Sequence, residues 1–166
     1  MVESAFVVGD QIVSPEHGVG KITAASENIV MGEKIKMYDI TLIRHDKLVL
    51  RIPCSRVNSI RHISSKETLN EALDILTQDP KTTKGMWSKR QVEYLEKITS
   101  GDLLLLAEVL RDLYRKDENR SYSERAIYET AIERFVDEYS LIAKIPTVDA
   151  QTNLLSILDN RLLEVI

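Results

Sequence analysis

The chain has 166 residues, a formal net charge of −4 and one cysteine, Cys54. This length suits one ordinary domain or two small ones, and an apolar fraction of 43% is too high for a disordered chain. The single cysteine excludes a disulfide framework and a zinc ribbon, and the longest apolar run, Leu103 to Ala107, is far shorter than the roughly 20 residues of a membrane helix. The first residues have neither a basic stretch nor an apolar core, so we expect a cytoplasmic protein without a signal peptide.

The first sixty residues have the alternating pattern of short strands. A strand over residues 11–15 ends at Pro15, and the two glycines of His17-Gly18-Val19-Gly20 predict a turn after it. The next predicted strand covers residues 21–30 and has one buried face. The residues expected to share that face are Ile22, Ala24 and Ile29.

Two further strands complete this half. A turn over residues 31–34 precedes a strand that reaches Ile43, and a later strand ends at Pro53. In the later strand, Leu48, Leu50 and Ile52 are expected on one face, with Val49 and Arg51 on the other. Four or five short strands joined by turns predict a small barrel or a curled antiparallel sheet.

After about Ile63 the apolar residues recur every three or four positions, which predicts about five helices. Ser64 and Ser123 are expected to cap the first and fourth helices, and Ser100-Gly101-Asp102 separates the second from the third. The expected inward residues are Leu69, Ala72, Leu73, Leu76, Tyr94, Leu95, Ile98, Leu103, Leu106, Ala107, Leu110, Leu113, Tyr114, Ala126, Ile127, Ala131 and Phe135. The sequence therefore predicts an α+β protein with two domains, residues 1–62 and a compact helical bundle over residues 63–166.

Charge is divided unevenly between these halves. Residues 1–62 carry 8 basic and 7 acidic side chains, whereas residues 63–166 carry 14 and 19. Inside the acidic half, residues 81–92 hold four basic side chains and no acidic one, around the only tryptophan, Trp87. The net charge argues against indiscriminate nucleic-acid binding, but it says nothing about such local patches.

The sequence lacks the usual signatures of an enzyme. His17, His45 and His62 have no metal-ligand spacing, and Gly18-Val19-Gly20 lacks the third glycine of a dinucleotide loop. There is no Walker loop, and Cys54 has no histidine at a useful spacing. We therefore expect no enzymatic activity, no metal, no cofactor and no small-molecule ligand.

The segment Met86-Trp87-Ser88-Lys89-Arg90 has two interpretations. Trp87 could pack on the bundle at a helix start, because tryptophan is highly buried on average. Alternatively, an apolar ring flanked by cations can wedge into a minor groove while the cations and the helix N-terminus hold phosphates. A second basic cluster is interleaved with acidic residues and predicts ion pairs on a solvated face; it contains Arg111, Arg115, Lys116, Arg120 and Arg125.

Arg51 also has two interpretations. An arginine on an exposed strand is commonly a simple surface residue, although arginine is enriched at binding hot spots. If its strand forms an unpaired edge, a partner could add a strand there.

Several segments together resemble the CarD family of bacterial transcription regulators. Phe6 to Gly20 resembles the family's opening, which is shared with the polymerase-interacting module of the transcription-repair coupling factor, and Leu50 to Pro53 resembles that module's last strand. Four segments resemble the helical domain found only in CarD-type proteins: Trp87 to Arg90, Lys97 to Asp102, Ala107 to Tyr114 and Ser121 to Arg125. The resemblance spans nearly the whole chain. The sequence contains no helicase motors, so it does not resemble the coupling factor as a whole.

This resemblance implies a Tudor-like N-terminal domain that binds the β subunit of RNA polymerase, and a helical domain that contacts double-stranded promoter DNA at the upstream fork of the melted −10 region. The implied polymerase-binding residues are Arg51, Val49, Asn28 and Val30. On the DNA side it implies a wedge at Trp87 and contacts from Lys89, Arg90 and Lys84. Some relatives have lysine where Val92 and Ile127 stand here, which implies a smaller DNA footprint.

The resemblance further implies a bacterial regulator, associated with the nucleoid through RNA polymerase, that stabilises the open promoter complex. Nothing in the sequence demands more than a monomer, which is the state we expect. Two alternatives of different classes stay open. One is a metal or nucleotide enzyme, which stoichiometric metal in the purified protein would revive. The other is a protein-only adaptor that joins polymerase to another factor through the helical surface around residues 81–90.

Overall fold

The computed structural model of the chain describes residues 6–44, 48–81, 85–115 and 120–163. The chain divides into two compact units, Met1–Ile63 and Ser64–Ile166. The first unit is built from strands and the second from helices, so the predicted α+β class is confirmed. Within the described ranges, no helix has the length and apolar character needed to cross a membrane.

The first unit is a five-stranded antiparallel sheet in the order β4-β3-β2-β1-β5. The strands are β1 (Gln11–Ser14), β2 (Gly18–Val30), β3 (Glu33–Leu42), β4 (Val49–Pro53) and β5 (Arg61–His62), with a 3-10 helix at Cys54–Ser59 before β5. One face covers a core made of Phe6, Ile12, Ile22, Tyr38, Ile40 and Ile60, against which Leu50 and Ile52 pack. The predicted alternation in β4 is confirmed for Leu50 and Ile52, whereas Leu48 lies before the start of β4 and is 48% exposed.

The turn predicted over residues 17–20 was wrong. Gly18 to Gly20 already belong to β2 and pair with β1, so the turn lies over residues 15–17. Gly20 serves close packing here, because a Cβ at this position would lie 2.8 Å from Ile40 Cγ2 and 2.9 Å from the Thr41 carbonyl oxygen. The glycine therefore lets β3 approach β2 closely.

A β-bulge in β2 changes which side chains face the core. Ile22 pairs with Ile40, but the next pair is Ala24 with Asp39, so Thr23 is an extra residue. Ala24 is consequently placed on the face opposite to Ile22, and the prediction that the two share a buried face was wrong.

The β2–β3 hairpin extends past the core of its unit. Met31 and Gly32 have φ values of 53° and 81°, and Val30 pairs directly with Glu33. This is the geometry of a two-residue hairpin turn of the type I′ class, which suits the twist of the flanking strands. Ile29, near this tip, is 73% exposed, so its predicted burial was wrong.

In its described residues the second unit contains five α-helices, α1 (Lys66–Leu76), α2 (Trp87–Thr99), α3 (Leu103–Leu113), α4 (Tyr122–Ala143) and α5 (Thr147–Leu163). Ser65, rather than Ser64, caps α1 by accepting from the Thr68 amide, and Asp102 caps α3. Ser121, rather than Ser123, caps α4 by accepting from the Glu124 amide. The predicted number of helices was right, while two of the predicted caps were displaced by one or two residues.

Helix α3 packs against α1, α2 and α4. Its predicted stripe of Leu103, Leu106, Ala107, Leu110 and Leu113 is buried, as are most of the other predicted core residues of the unit. Leu95 and Ala126 are exposed instead, so their predicted burial was wrong. In each case the adjacent residue is buried instead, Tyr94 before Leu95 on α2 and Ile127 after Ala126 on α4.

Arg111 is buried, with 2% of its side chain exposed, so its predicted place on a solvated face was wrong, whereas its predicted ion pair is present. Its Nε lies 2.8 Å from Asp112 Oδ1, and its Nη1 donates to Gln78 Oε1 at 3.1 Å. The same Asp112 oxygen accepts from the Lys81 amide at 2.9 Å. This Arg111–Asp112 pair thereby fixes the chain segment that follows α1.

Candidate functional site

The face of the sheet opposite to the core, called the outer face here, carries all four residues that the resemblance assigned to polymerase binding. Beyond the bulge, Asn28 and Val30 are the direct partners of Ile35 and Glu33, which places them on the same face as Asp39. Asp39 is in turn the direct partner of Arg51, and Thr41 is the partner of Val49. The bulge at Thr23 therefore brings the β2 residues and the β4 residues to one side of the sheet.

Arg51 and Val49 lie on an edge strand. Among the described residues, β4 pairs with β3 alone, so its other side is open. The Arg51 side chain is 60% exposed, and its Nε donates to Asp39 Oδ1 at 3.0 Å across the strand pair. Because an exposed ion pair contributes little to stability, this geometry orients the guanidinium group more than it stabilises the fold.

Asn28 and Val30 extend the outer face toward the hairpin tip. The Asn28 side-chain amide donates to the Met37 sulfur at 3.5 Å, and Met37 pairs with Pro53 on β4. Val30 is exposed beside the turn. The result is a continuous surface from the edge strand to the tip, with Val49 and Arg51 on the edge strand and Val30 at the tip.

Trp87 lies at the first position of α2 and is half-buried. Its indole N–H donates to the hydroxyl of Ser123 on α4 at 2.9 Å, and its ring centroid lies 6.3 Å from that of Tyr94. Met86, at the N-cap, supplies no side-chain hydrogen bond and is exposed. The first turn of α2 thus presents a fixed aromatic ring beside backbone amides that receive no side-chain hydrogen bond from the N-cap residue.

The basic residues of this segment are placed differently from one another. Lys89 is exposed, whereas Arg90 is half-buried with its guanidinium 5.6 Å from the Trp87 ring centroid and 5.9 Å from that of Tyr94. These separations are in the range of cation–π contacts. Lys84 lies outside the described residues. Val92 is exposed, while Ile127 is buried and offers no surface to a partner.

Sequence reasoning missed the part that Ser123 plays. The serine was interpreted as a helix cap, a role that Ser121 takes. No pattern along the chain indicates that a hydroxyl 36 residues from Trp87 meets the indole, because the meeting depends on how α2 and α4 pack. Elsewhere in the described ranges, no three His, Cys, Asp or Glu side chains are grouped as a metal site would require.

Comparison with known proteins assigns both units. Residues 6–64 match the CarD-like/TRCF RID domain, and residues 71–155 match the C-terminal domain of CarD. YdeB of Bacillus subtilis (strain 168), which is named as a candidate transcription factor, is 31% identical over 144 residues, covering 84% of this chain and 94% of YdeB. An RID-type sheet followed by a CarD-type helical domain defines the class of this protein. The chain belongs to the CarD family of transcription factors.

Proposed function

We propose that this protein binds the β subunit of RNA polymerase with the outer face of its sheet and promoter DNA with the first turn of α2, and that it thereby stabilises the open promoter complex. The observation that carries the DNA-binding half is the placement of Trp87, a half-buried ring held at a helix start beside the exposed cation Lys89. The chemistry is binding only, and no covalent step is involved.

The polymerase contact is supported by the match to the RID domain and by the outer face. An open strand edge offers backbone groups to a partner strand, and an exposed arginine next to an apolar residue is a common binding anchor. Arg51 and Val49 supply that pair on β4, and Asn28 and Val30 continue it on β2. The Arg51–Asp39 ion pair keeps the guanidinium oriented before the partner arrives.

The DNA contact is supported by the first turn of α2. Amides at a helix N-terminus favour a phosphate, and Met86 leaves them without a side-chain cap. Lys89 adds a positive charge two residues from the ring. An aromatic ring that enters a base step partly unstacks it, at a cost of a few kcal/mol per step. That cost is lower where the step is already opening, which favours binding at the edge of a melted region.

The two contacts act together. The helical half is net acidic, with 14 basic and 19 acidic side chains, so its own affinity for DNA is expected to be weak. Anchoring the sheet on polymerase raises the local concentration of the helical unit at the promoter, on the order of millimolar for a short connection. Differential binding of about 1.4 kcal/mol to the open state then shifts the open-to-closed ratio about tenfold.

Open-complex lifetime on a ribosomal RNA promoter with the cognate polymerase tests the DNA contact. The wild-type protein is expected to lengthen the lifetime, and Trp87→Ala to remove the effect while still binding polymerase. Val148→Ala, which shortens an exposed apolar side chain on α5 outside the proposed DNA contact, is the control and is expected to act like wild type. A Trp87→Ala protein that remains folded and fully active would contradict the wedge.

Pull-down of polymerase tests the other contact. Arg51→Glu removes the exposed guanidinium from the outer face and places an acidic side chain opposite Asp39, where like charges on directly paired residues repel. This variant is therefore expected not to retain polymerase. Arg56→Glu changes an exposed arginine outside the strands and is the control. Unchanged retention of Arg51→Glu would remove the outer face from the proposal.

The adaptor alternative is favoured by one observation, the exposure of Val92 and Leu95 three residues apart on α2. Exposed apolar side chains at helical spacing suit a protein partner better than a phosphate backbone. The adaptor function replaces DNA binding if two results are obtained together. The protein binds polymerase without lengthening the open-complex lifetime, and it adds no salt-dependent contribution to the retention of promoter DNA by polymerase.

A further inference from the structure

The indole of Trp87 has its one hydrogen-bond donor occupied within the protein. Its Nε1–H donates to the Ser123 hydroxyl at 2.9 Å, and this bond joins the first turn of α2 to the first turn of α4. Trp87 is half-buried, so part of the ring remains accessible. Because the N–H edge faces Ser123, the accessible part of the ring is apolar.

Ser123 is available for this bond because a different serine performs the capping. The Ser121 hydroxyl accepts from the Glu124 amide and closes the first turn of α4, while Ser123 lies two residues further on. The Ser123 oxygen is 3.5 Å from the Ser121 oxygen and 2.9 Å from the indole nitrogen, so the indole is its shorter contact.

The other side of the indole is also held. The Arg90 guanidinium lies within 6 Å of both the Trp87 and Tyr94 ring centroids, and its Nη2 is 3.4 Å from the Tyr94 hydroxyl. Arg90 and Tyr94 are on α2 itself, at the positions three and seven residues after Trp87. The bond to Ser123 therefore ties the ring to a second helix, which the contacts with Arg90 and Tyr94 on α2 do not.

We propose that Ser123 is a positioning residue for Trp87, and that its hydroxyl fixes the indole so that an apolar edge enters the base step. The proposal rests on the proposed function of Trp87 at DNA. Two physical effects follow from the bond. The ring is ordered before binding, which lowers the entropic cost of association. The indole donor is also satisfied after the site is desolvated, which avoids the penalty of a buried N–H without a partner.

Four full-length variants test this inference: Ser123→Ala, Ser123→Thr, Ser121→Ala and Trp87→Ala. Ser123→Ala removes the acceptor, and Ser123→Thr keeps a hydroxyl at the same place. Ser121→Ala weakens the start of the same helix without removing the acceptor of the indole, so it separates helix capping from ring positioning. Thermal unfolding of each variant establishes that it is folded at the assay temperature.

The first readout is the indole N–H resonance of ¹⁵N-labelled protein, which is a single signal because the chain has one tryptophan. Exchange of this proton with water is expected to be about fivefold faster in Ser123→Ala, the factor equivalent to one hydrogen bond of about 1 kcal/mol. Ser123→Thr and Ser121→Ala are expected to keep the wild-type exchange rate.

The second readout is open-complex lifetime with the cognate polymerase. Ser123→Ala is expected to reduce the lengthening of the lifetime about fivefold, Ser123→Thr to restore it, and Ser121→Ala to match wild type. If Trp87→Ala loses activity but Ser123→Ala keeps it, the positioning role is overturned and the wedge survives. If Ser121→Ala loses as much as Ser123→Ala, the effect comes from α4 and the positioning role is again overturned. If Trp87→Ala keeps full activity, the proposed function fails and the positioning role fails with it.

Discussion

Replacing Arg111 by methionine is expected to destabilise the helical unit by about 3–5 kcal/mol. Removing one member of a buried ion pair leaves the other charge without compensation, and this is the usual cost. The structure gives the reason in detail: Arg111 is 2% exposed, Asp112 is 5% exposed, and both are tied to the segment after α1 through Gln78 and the Lys81 amide. Since a domain is stable by only about 5–15 kcal/mol, the loss is a large share of the total.

Urea unfolding followed by tryptophan fluorescence measures this loss in one unit alone. Trp87 is the only tryptophan and lies in the helical unit, so its signal reports on that unit and not on the sheet. With an m-value of about 1.5 kcal/mol/M, the midpoint is expected to fall by about 2–3 M. Arg125→Met, which changes an exposed arginine on α4, is the control and is expected to cost less than about 0.5 kcal/mol.

A double variant separates charge from packing. Arg111→Met combined with Asp112→Asn removes both charges but keeps an oxygen that accepts from the Lys81 amide. The double variant is expected to recover at least half of the stability that Arg111→Met loses, with a coupling free energy of about 0.5–3 kcal/mol. A loss below about 1 kcal/mol for Arg111→Met, or strictly additive losses for the double variant, would refute the account of a buried pair.

Two further outcomes concern the sheet. Gly20→Ala is expected to lower the free energy of unfolding of the first unit by about 1–3 kcal/mol, because the added Cβ would lie 2.9 Å from the Thr41 carbonyl oxygen. Hydrogen exchange of the β2 and β3 amides should then be faster than in the wild type. An unchanged exchange rate would show that the two strands can move apart at no cost. The pKa of Tyr38 is raised, mainly because the phenol is buried and secondarily because Cys54 lies beside it. The neutral phenol therefore stabilises the folded unit fully below about pH 10, the ordinary pKa of tyrosine. This stabilisation is lost as the pH rises through the higher pKa of the folded state. The urea concentration at which the amides of the first unit lose their protection from hydrogen exchange should therefore be lower at alkaline pH than at neutral pH in the wild type. The same decrease should be smaller in Tyr38→Phe.

The parts of the fold that follow from local periodicity could be predicted from the sequence. The inward side chains of β4, Leu50 and Ile52, alternate with Val49 and Arg51 as expected. The stripe on α3 from Leu103 to Leu113 has the spacing of a buried helix face, and it is buried. In both cases a residue's environment is decided by its neighbours within one turn or one pleat, which the sequence displays directly.

The bulge at Thr23 could not be predicted in this way. A period of two assumes that every residue of β2 pairs with one residue of β3, and the pairing of Ala24 with Asp39 violates this assumption. The extra residue is held by the partner strand, since the Thr23 hydroxyl bonds to the Thr41 hydroxyl and the Asp39 carbonyl, and such cross-strand contacts are not visible in the sequence of β2. The shared face of Asn28, Val30, Val49 and Arg51 depends on this one inserted residue.

The candidate DNA site shows the same division. A helix start with a tryptophan and adjacent cations was visible in the sequence, and α2 does begin at Trp87. The choice between Ser121 and Ser123 as the cap of α4 was not visible, because both have the chemistry of a cap. Tertiary packing decides it by bringing the Trp87 indole to one of the two hydroxyls.

The order of strands in the sheet has a consequence for biosynthesis. From β1 to β4, each strand pairs with the one before it in the chain, and these pairs are joined by turns or short loops. Such contacts close small loops and form early, so the growing chain can assemble most of the sheet progressively as it leaves the ribosome. The last strand, β5, must then return to β1, pairing His62 with Ile12. We expect the nascent sheet to become cooperative only when residue 62 has emerged, before any helix of the second unit has emerged.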